Sequence, residues 1–163
     1  HPCSVALRVI QRRIVRLGQD RGVPEQGLAL SRQLAMTTFR TPEEFAERFG
    51  AAELDETGEF TSDVVDYLDA VGEKFVARFD PERFLALSES IDLHTVQPSA
   101  VAAPCTLVSV ISDRLIYPEQ LRELAQRIAG PCDLHEIDSR YGHDAFLKEI
   151  PAISQIVSGA LTF

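Results

Sequence analysis

A chain of 163 residues is the length of one domain, or of a domain with a subdomain, and an apolar fraction of 45% is ordinary for a globular protein. A net charge of −9 with no long basic block argues against nucleic acid as a partner. No apolar run approaches the roughly 18 residues that a membrane span needs, so no membrane is expected either.

The three cysteines, Cys3, Cys105 and Cys132, are scattered and show neither metal nor disulfide spacing, which fits a reducing cytoplasm. The start, His1-Pro-Cys-Ser4, is neither an initiator methionine nor a signal peptide, so a start inside a longer gene product or at a processed end is expected.

The first 97 residues read as helices. Residues 3 to 17 place Leu7, Ile10, Ile14 and Leu17 on one face, with Arg8, Arg12 and Arg16 off it. A second helix is expected over about 28 to 38. Thr41-Pro-Glu-Glu44 reads as a helix start, with Thr41 as cap, Pro42 in the first turn and Glu44 closing a capping box. Residues 51 to 61 are polar and turn-like. A longer helix over about 62 to 79 carries Val64, Leu68, Val71, Phe75 and Phe79 on one stripe, and Asp80-Pro81 starts another to about 90. Nothing before residue 95 reads as a strand. The phenylalanines of this half are most simply core.

The pattern changes after a linker, Gln97-Pro-Ser-Ala-Val-Ala-Ala-Pro104. Cys105 to Ile111 is a continuous apolar run, as expected of a parallel strand buried on both faces. A helix over 118 to 129 stops at Gly130-Pro131, and residues 133 to 138 form a second strand. A final helical stretch follows from Phe146 to about Leu161, interrupted or restarted at Pro151. Strand, helix, strand makes a βαβ unit. Two parallel strands leave faces and edges uncovered, so further strands are expected from a preceding segment. The fold class is α/β: a helical lid, 1–97, followed by the last parallel strands and helices of a sheet, 98–163.

In such sheets the reactive groups sit just beyond the carboxyl ends of strands. Asp113 follows the first strand and His143 the second, within Arg140-Tyr-Gly-His-Asp-Ala-Phe-Leu147. Taken singly, each is an ordinary loop residue. Taken together, at the ends of consecutive strands, they suit an imidazole base oriented by a carboxylate. His94 and His135 lack that setting and read as structural. No His-x-x-x-His or cysteine pair suggests a metal. None of the serines stands in a Gly-x-Ser-x-Gly turn, so the nucleophile is expected upstream of His1.

Several separated pieces carry a resemblance: Ser31-Arg-Gln with Thr38-Phe-Arg40, Glu43-Glu-Phe with Arg48-Phe-Gly50, Tyr67-Leu-Asp with Lys74-Phe75, Arg78-Phe-Asp80, Ser112-Asp-Arg-Leu115, and Tyr141-Gly-His-Asp-Ala-Phe-Leu147. In their order and spacing the chain resembles the carboxyl-terminal half of the homoserine O-acyltransferases, acetyl- and succinyltransferases of the α/β-hydrolase fold.

The resemblance implies roles. Asp113 and His143 would be acid and base of a triad. Asp144 would hold a substrate ammonium, Arg32 would pair with its carboxylate, and Leu115 would line the pocket. The family's usual tyrosine is Phe39 here, which removes a hydroxyl and raises serine as an alternative acceptor.

The implied activity is transfer of an acyl group, acetyl being the commoner, from acyl-CoA to homoserine through an acyl-serine, in methionine biosynthesis. Acyl-CoA would be a co-substrate with no bound cofactor. The lid would form a homodimer contact, and the amino-terminal half of the fold would be needed. A hydrolase of the same fold, or an inactive assembly fragment, are the rivals.

Overall fold

The computed structural model describes residues 1–161, and the chain divides into two compact units. The first comprises His1–Thr38 and Pro42–His94; the second comprises Phe39–Thr41 with the chain from Thr95 onward.

The first unit is helical: α1 (Pro2–Asp20), α2 (Pro24–Phe39, whose last residue belongs to the second unit), α3 (Pro42–Arg48), α4 (Asp63–Val76) and α5 (Pro81–Leu93). Ser62 caps α4 by accepting from the Val64 amide, and Asp80 caps α5 by accepting from the Arg83 amide at 2.7 Å. Val15, Leu28, Ala35 and Met36 are its buried apolar residues. Helices α1 and α2 approach closely at Gly18 and Gly27. A Cβ at Gly18 would lie 2.9 Å from Gly27 Cα, so both positions must be bare.

Two expectations fail in this unit. The apolar stripe of α1 is not its buried face: Ile10 and Leu17 are 46% and 56% exposed, while Arg12 is buried. The arginine stripe has the better partners. Arg8 and Arg12 both pair with Asp92 of α5, at 2.6 and 2.7 Å, and Arg16 pairs with Glu89. Arg12 also donates to the Ser88 hydroxyl and carbonyl. A buried guanidinium is tolerated when its donors are met in this way.

The second correction is a short antiparallel hairpin, β1 (Glu53–Leu54) and β2 (Phe60–Thr61), where no strand was expected. Its turn is set by Asp55, whose Oδ1 accepts from the amides of Thr57 and Glu59. Two-residue strands are too short for an alternation signal.

The second unit is the βαβ element: β3 (Cys105–Val110), α6 (Pro118–Arg127) and β4 (Cys132–Ile137). The strands are parallel and in register from Cys105↔Cys132 to Val110↔Ile137, and α6 packs on both. Strand β3 is less buried than its composition suggested. Cys105–Val108 are half-buried, and only Ser109 and Val110 are buried. Among the described residues β3 has one neighbouring strand, β4, so its other edge is not covered by these residues. After β4 come a 3-10 turn (Gly142–Asp144), α7 (Ala145–Lys148) and α8 (Ile150–Ala160), with Pro151 in the first turn of α8.

Candidate active site

The site is made where β3 and β4 end. The ladder runs one residue past β3, the Ile111 amide donating to the Ile137 carbonyl at 3.0 Å. The chain then turns, and the Asp113 amide donates back to the Val110 carbonyl at 3.1 Å. This puts Asp113, 8% exposed, directly beyond the strand.

Its carboxylate is held at both oxygens. Oδ1 accepts from the backbone amides of Leu115 and Ile116, at 2.7 and 3.0 Å. Oδ2 lies 2.8 Å from His143 Nδ1. Burial works against ionisation of Asp113, but the hydrogen bonds from His143, Ile116 and Leu115, with the imidazole's charge, outweigh it and hold its pKa below the ordinary value. An ionised carboxylate can only accept, so Nδ1 is the protonated nitrogen and Nε2 carries the lone pair of the neutral ring.

His143 is raised in proton affinity, first by its hydrogen bond to Asp113, against an opposing effect of burial, with the charges of Asp113 and Asp144 adding to the rise. Its side chain is 32% exposed, so the ring is accessible while its partner is covered. The turn that presents it needs Gly142. The φ of +58° there is disfavoured for residues with a Cβ, and an added Cβ would meet the Phe39 carbonyl at 3.0 Å and the Thr41 methyl at 3.3 Å.

Ties between the two turns were not visible in sequence. The Ser112 hydroxyl donates to the Ser139 carbonyl. Ser139, itself buried, donates to Glu149 Oε1 at 2.8 Å and accepts from the Tyr141 amide at 3.1 Å. The segment 39–41 adds a third side. The Phe39 ring lies 5.3 Å from the imidazole, centroid to centroid, with Phe146 at 6.5 Å on another side. The Thr41 hydroxyl donates to the Arg140 carbonyl. Arg40 pairs with Asp144 at 3.2 Å.

Of the residues singled out in sequence, the structure therefore gathers Asp113, His143, Asp144, Leu115 and Phe39 in one unit. Arg32 belongs to the helical unit, where its guanidinium sits 5.2 Å from the centre of the Phe75 ring. Arg40 was missed as a participant, although it stands inside the Thr38-Phe-Arg40 motif; the available signal was an arginine adjoining Phe39.

Among the described residues there is no cluster of three or more His, Cys, Asp or Glu side chains able to hold a metal. No helix among them is long and apolar enough to cross a membrane. A separate groove of about 490 Å³, lined by Thr106, Asp133, His135, Gln155 and Ile156 among others, opens between the strands and α8. Neither Asp113 nor His143 lines it.

The architecture is part of an α/β-hydrolase fold. It superimposes on the crystal structure of esterase E22 with a TM-score of 0.81 over 94% of this chain and 49% of that one, at 16% identity. It matches homoserine O-acetyltransferase from Bacillus anthracis with a TM-score of 0.80 over 98% and 49%, also at 16% identity. The α/β hydrolase MGS-M2 from a deep-sea metagenome gives 0.69 over 98% and 50%, at 15% identity.

In sequence the chain corresponds to the carboxyl-terminal part of the homoserine O-acyltransferases. It is 47% identical over 161 residues to a homoserine O-succinyltransferase of Xanthomonas campestris, covering 99% of this chain and 44% of the relative. It is 34% identical over 142 residues to a homoserine O-acetyltransferase of Trichormus variabilis, covering 82% and 39%. The chain thus spans less than half the length of these curated relatives. No protein-family model matches it.

Proposed function

We propose that this chain supplies the acid and base of a homoserine O-acyltransferase whose nucleophile comes from an amino-terminal portion of the fold. One observation carries the reading most: the 2.8 Å contact of Asp113 Oδ2 with His143 Nδ1, at the ends of adjacent parallel strands. Asp113 fixes the tautomer, so Nε2 takes the proton of a serine as that oxygen attacks the thioester carbon of acyl-CoA. The tetrahedral intermediate collapses with loss of CoA thiol, which receives the proton from His143. The acceptor hydroxyl then gives its proton to Nε2 and attacks the acyl-serine, and the serine leaves with that proton.

The acceptor is a zwitterion, whose ammonium Asp144 would take; the carboxylate-pairing role of Arg32 stays what the resemblance implies. A carboxylate beside the base favours an amino acid over water as acceptor, and so a transferase over a hydrolase. The lid as a dimer contact and a cytoplasmic setting are parts of the same reading.

For the donor, the sequence reading favoured acetyl. The relative at 47% identity is named for succinyl transfer and that at 34% for acetyl transfer, so succinyl-CoA is the first thioester to assay. A second acceptor, serine, is favoured by one observation: the ring against His143 is a phenylalanine with no hydroxyl to offer a substrate.

The test measures CoA release by the complete protein from succinyl-CoA and acetyl-CoA, with homoserine, with serine and with neither. Release dependent on homoserine is expected. Release indifferent to any amino acid would make the protein a hydrolase, and no release from either thioester would overturn acyl transfer.

A further inference from the structure

Arg40 and Asp144 form an ion pair with little solvent around it: Nη2 to Oδ2 is 3.2 Å, and the side chains are 12% and 15% exposed. A pair at the surface would contribute little. A covered pair differs, because removing one partner leaves the other charge stranded.

The arginine is brought there by a fixed strap. Phe39 lies against the imidazole, the Thr41 hydroxyl binds the Arg140 carbonyl, and Gly142 packs on the Phe39 carbonyl and the Thr41 methyl. Each contact joins residues 39–41 to the turn that carries His143. The strap therefore sets where the guanidinium stands, and the guanidinium sets where the neighbouring carboxylate stands.

We propose that Arg40 is a positioning residue of this site, pinning Asp144 and offsetting its charge so that the carboxylate neither swings onto the imidazole nor leaves the substrate's side. The proposal rests on the reading of Asp113 and His143 as acid and base. The charged groups that face His143 are Asp113, from the turn after β3, and Asp144, from its own turn. Arg40, from segment 39–41, stands behind Asp144, and Phe39 and Phe146 are the apolar walls. The negative charge of Asp144 already strengthens proton binding by His143. Unpaired, it would strengthen it further and hold the ring as imidazolium, the form that cannot act as a base. With Oδ2 on Arg40, the other carboxylate oxygen is the one for a substrate ammonium.

The experiment uses the complete protein with R40Q, R40K, D144N and R40Q/D144N. The titration of the His143 ring is followed by NMR without substrate. In R40Q the midpoint moves to higher pH, in R40K it stays at the parent value, and in R40Q/D144N it equals that of D144N alone. Alongside, R40Q lowers kcat/KM for the acceptor on the order of 10²-fold, as expected for a displaced substrate group, and R40K restores most of it.

An R40Q midpoint equal to the parent's overturns the proposal, as does an R40Q displacement that persists undiminished in the D144N background. If R40Q does not fold, R40K and D144N carry the test: D144N must lower the midpoint and R40K must leave it unchanged, and failure of either overturns the proposal. Absence of acyl transfer in the parent would sink the functional reading alone, because the titration needs no substrate.

Discussion

Ser112 and Ser139 join the two turns on which Asp113 and His143 stand: the hydroxyl of the first donates to the backbone carbonyl of the second. The strands fix the turns at their roots, and this bond fixes them at their tips. Ser139 continues the chain to Glu149 and to the Tyr141 amide. Replacing Ser139 by alanine removes the acceptor for Tyr141 and strands a partly covered carboxylate, so we expect a loss of about 1–3 kcal/mol in urea unfolding of the complete protein. Ser112→Ala, which removes one hydroxyl, should cost about 1 kcal/mol. A Ser139→Ala protein as stable as the parent would show that the network contributes nothing.

Asp113→Asn should leave the fold intact and lower kcat by on the order of 10⁴-fold, because an amide permits the wrong imidazole tautomer. The remaining activity should have its acid limb at lower pH than the parent's, since the charge that raises His143 and strengthens its hydrogen bond is gone. A pH–rate profile checks both. An acid limb that stays in place would remove Asp113 from the role of partner.

In the parent, the base form of His143 appears only above its raised pKa, so the acid limb of kcat/KM should have its midpoint above about 6.5, the ordinary imidazole value. Stability follows the same shifts with opposite pH windows. The folded state binds the His143 proton more tightly than the unfolded chain, so that contribution is full below the unfolded pKa and is lost as pH rises through the folded one. Asp113 is depressed, so its contribution is full above about 3.9 and is lost as pH falls through its folded pKa. Urea midpoints measured across pH test these slopes. A stability flat from pH 3 to pH 9 would contradict both.

Gly142→Ala places a Cβ where φ is +58° and the Phe39 carbonyl is 3.0 Å away. We expect about 1–2 kcal/mol from the backbone conformation alone, with displacement of segment 39–41 in addition. A fall in thermal midpoint together with weakened catalysis is the expected result. An unchanged midpoint would mean that the turn can relax.

Arg12→Ala removes a covered guanidinium that bonds Asp92 and Ser88, while Arg8 still pairs with Asp92, so it should cost about 1.5–3 kcal/mol. Arg16→Ala, whose pair with Glu89 is half exposed, should cost less than about 1 kcal/mol. Equal effects in urea unfolding would refute the distinction between the two pairs.

The βαβ element was legible because its signals are strong and local. An apolar β-branched run, a proline at a helix start and a Gly-Pro stop each restrict the backbone directly. Asp113 and His143 were legible because strand ends converge whatever the side chains between them. The buried face of α1 was not legible. Its apolar stripe is real, but Asp92 and Ser88 of α5 turn Arg12 inward, and only the partner helix discloses that. The 53–61 hairpin rests on two-residue strands and an Asp55-centred turn, below what periodicity detects. Ser112–Ser139 and Arg40–Asp144 depend on residues 27 and 104 positions apart meeting through the fold. No spacing rule reports such pairs.

The carboxylate of Asp113 takes its aim from main-chain amides at 115 and 116, which every residue except proline possesses. The side chains at those two positions can therefore be exchanged without turning the acid away from the ring. The aim of the acid and the choice of side chain at 115 and 116 are separable here. Exchanging Leu115 or Ile116 for any residue but proline leaves both amide donors to Asp113 in place.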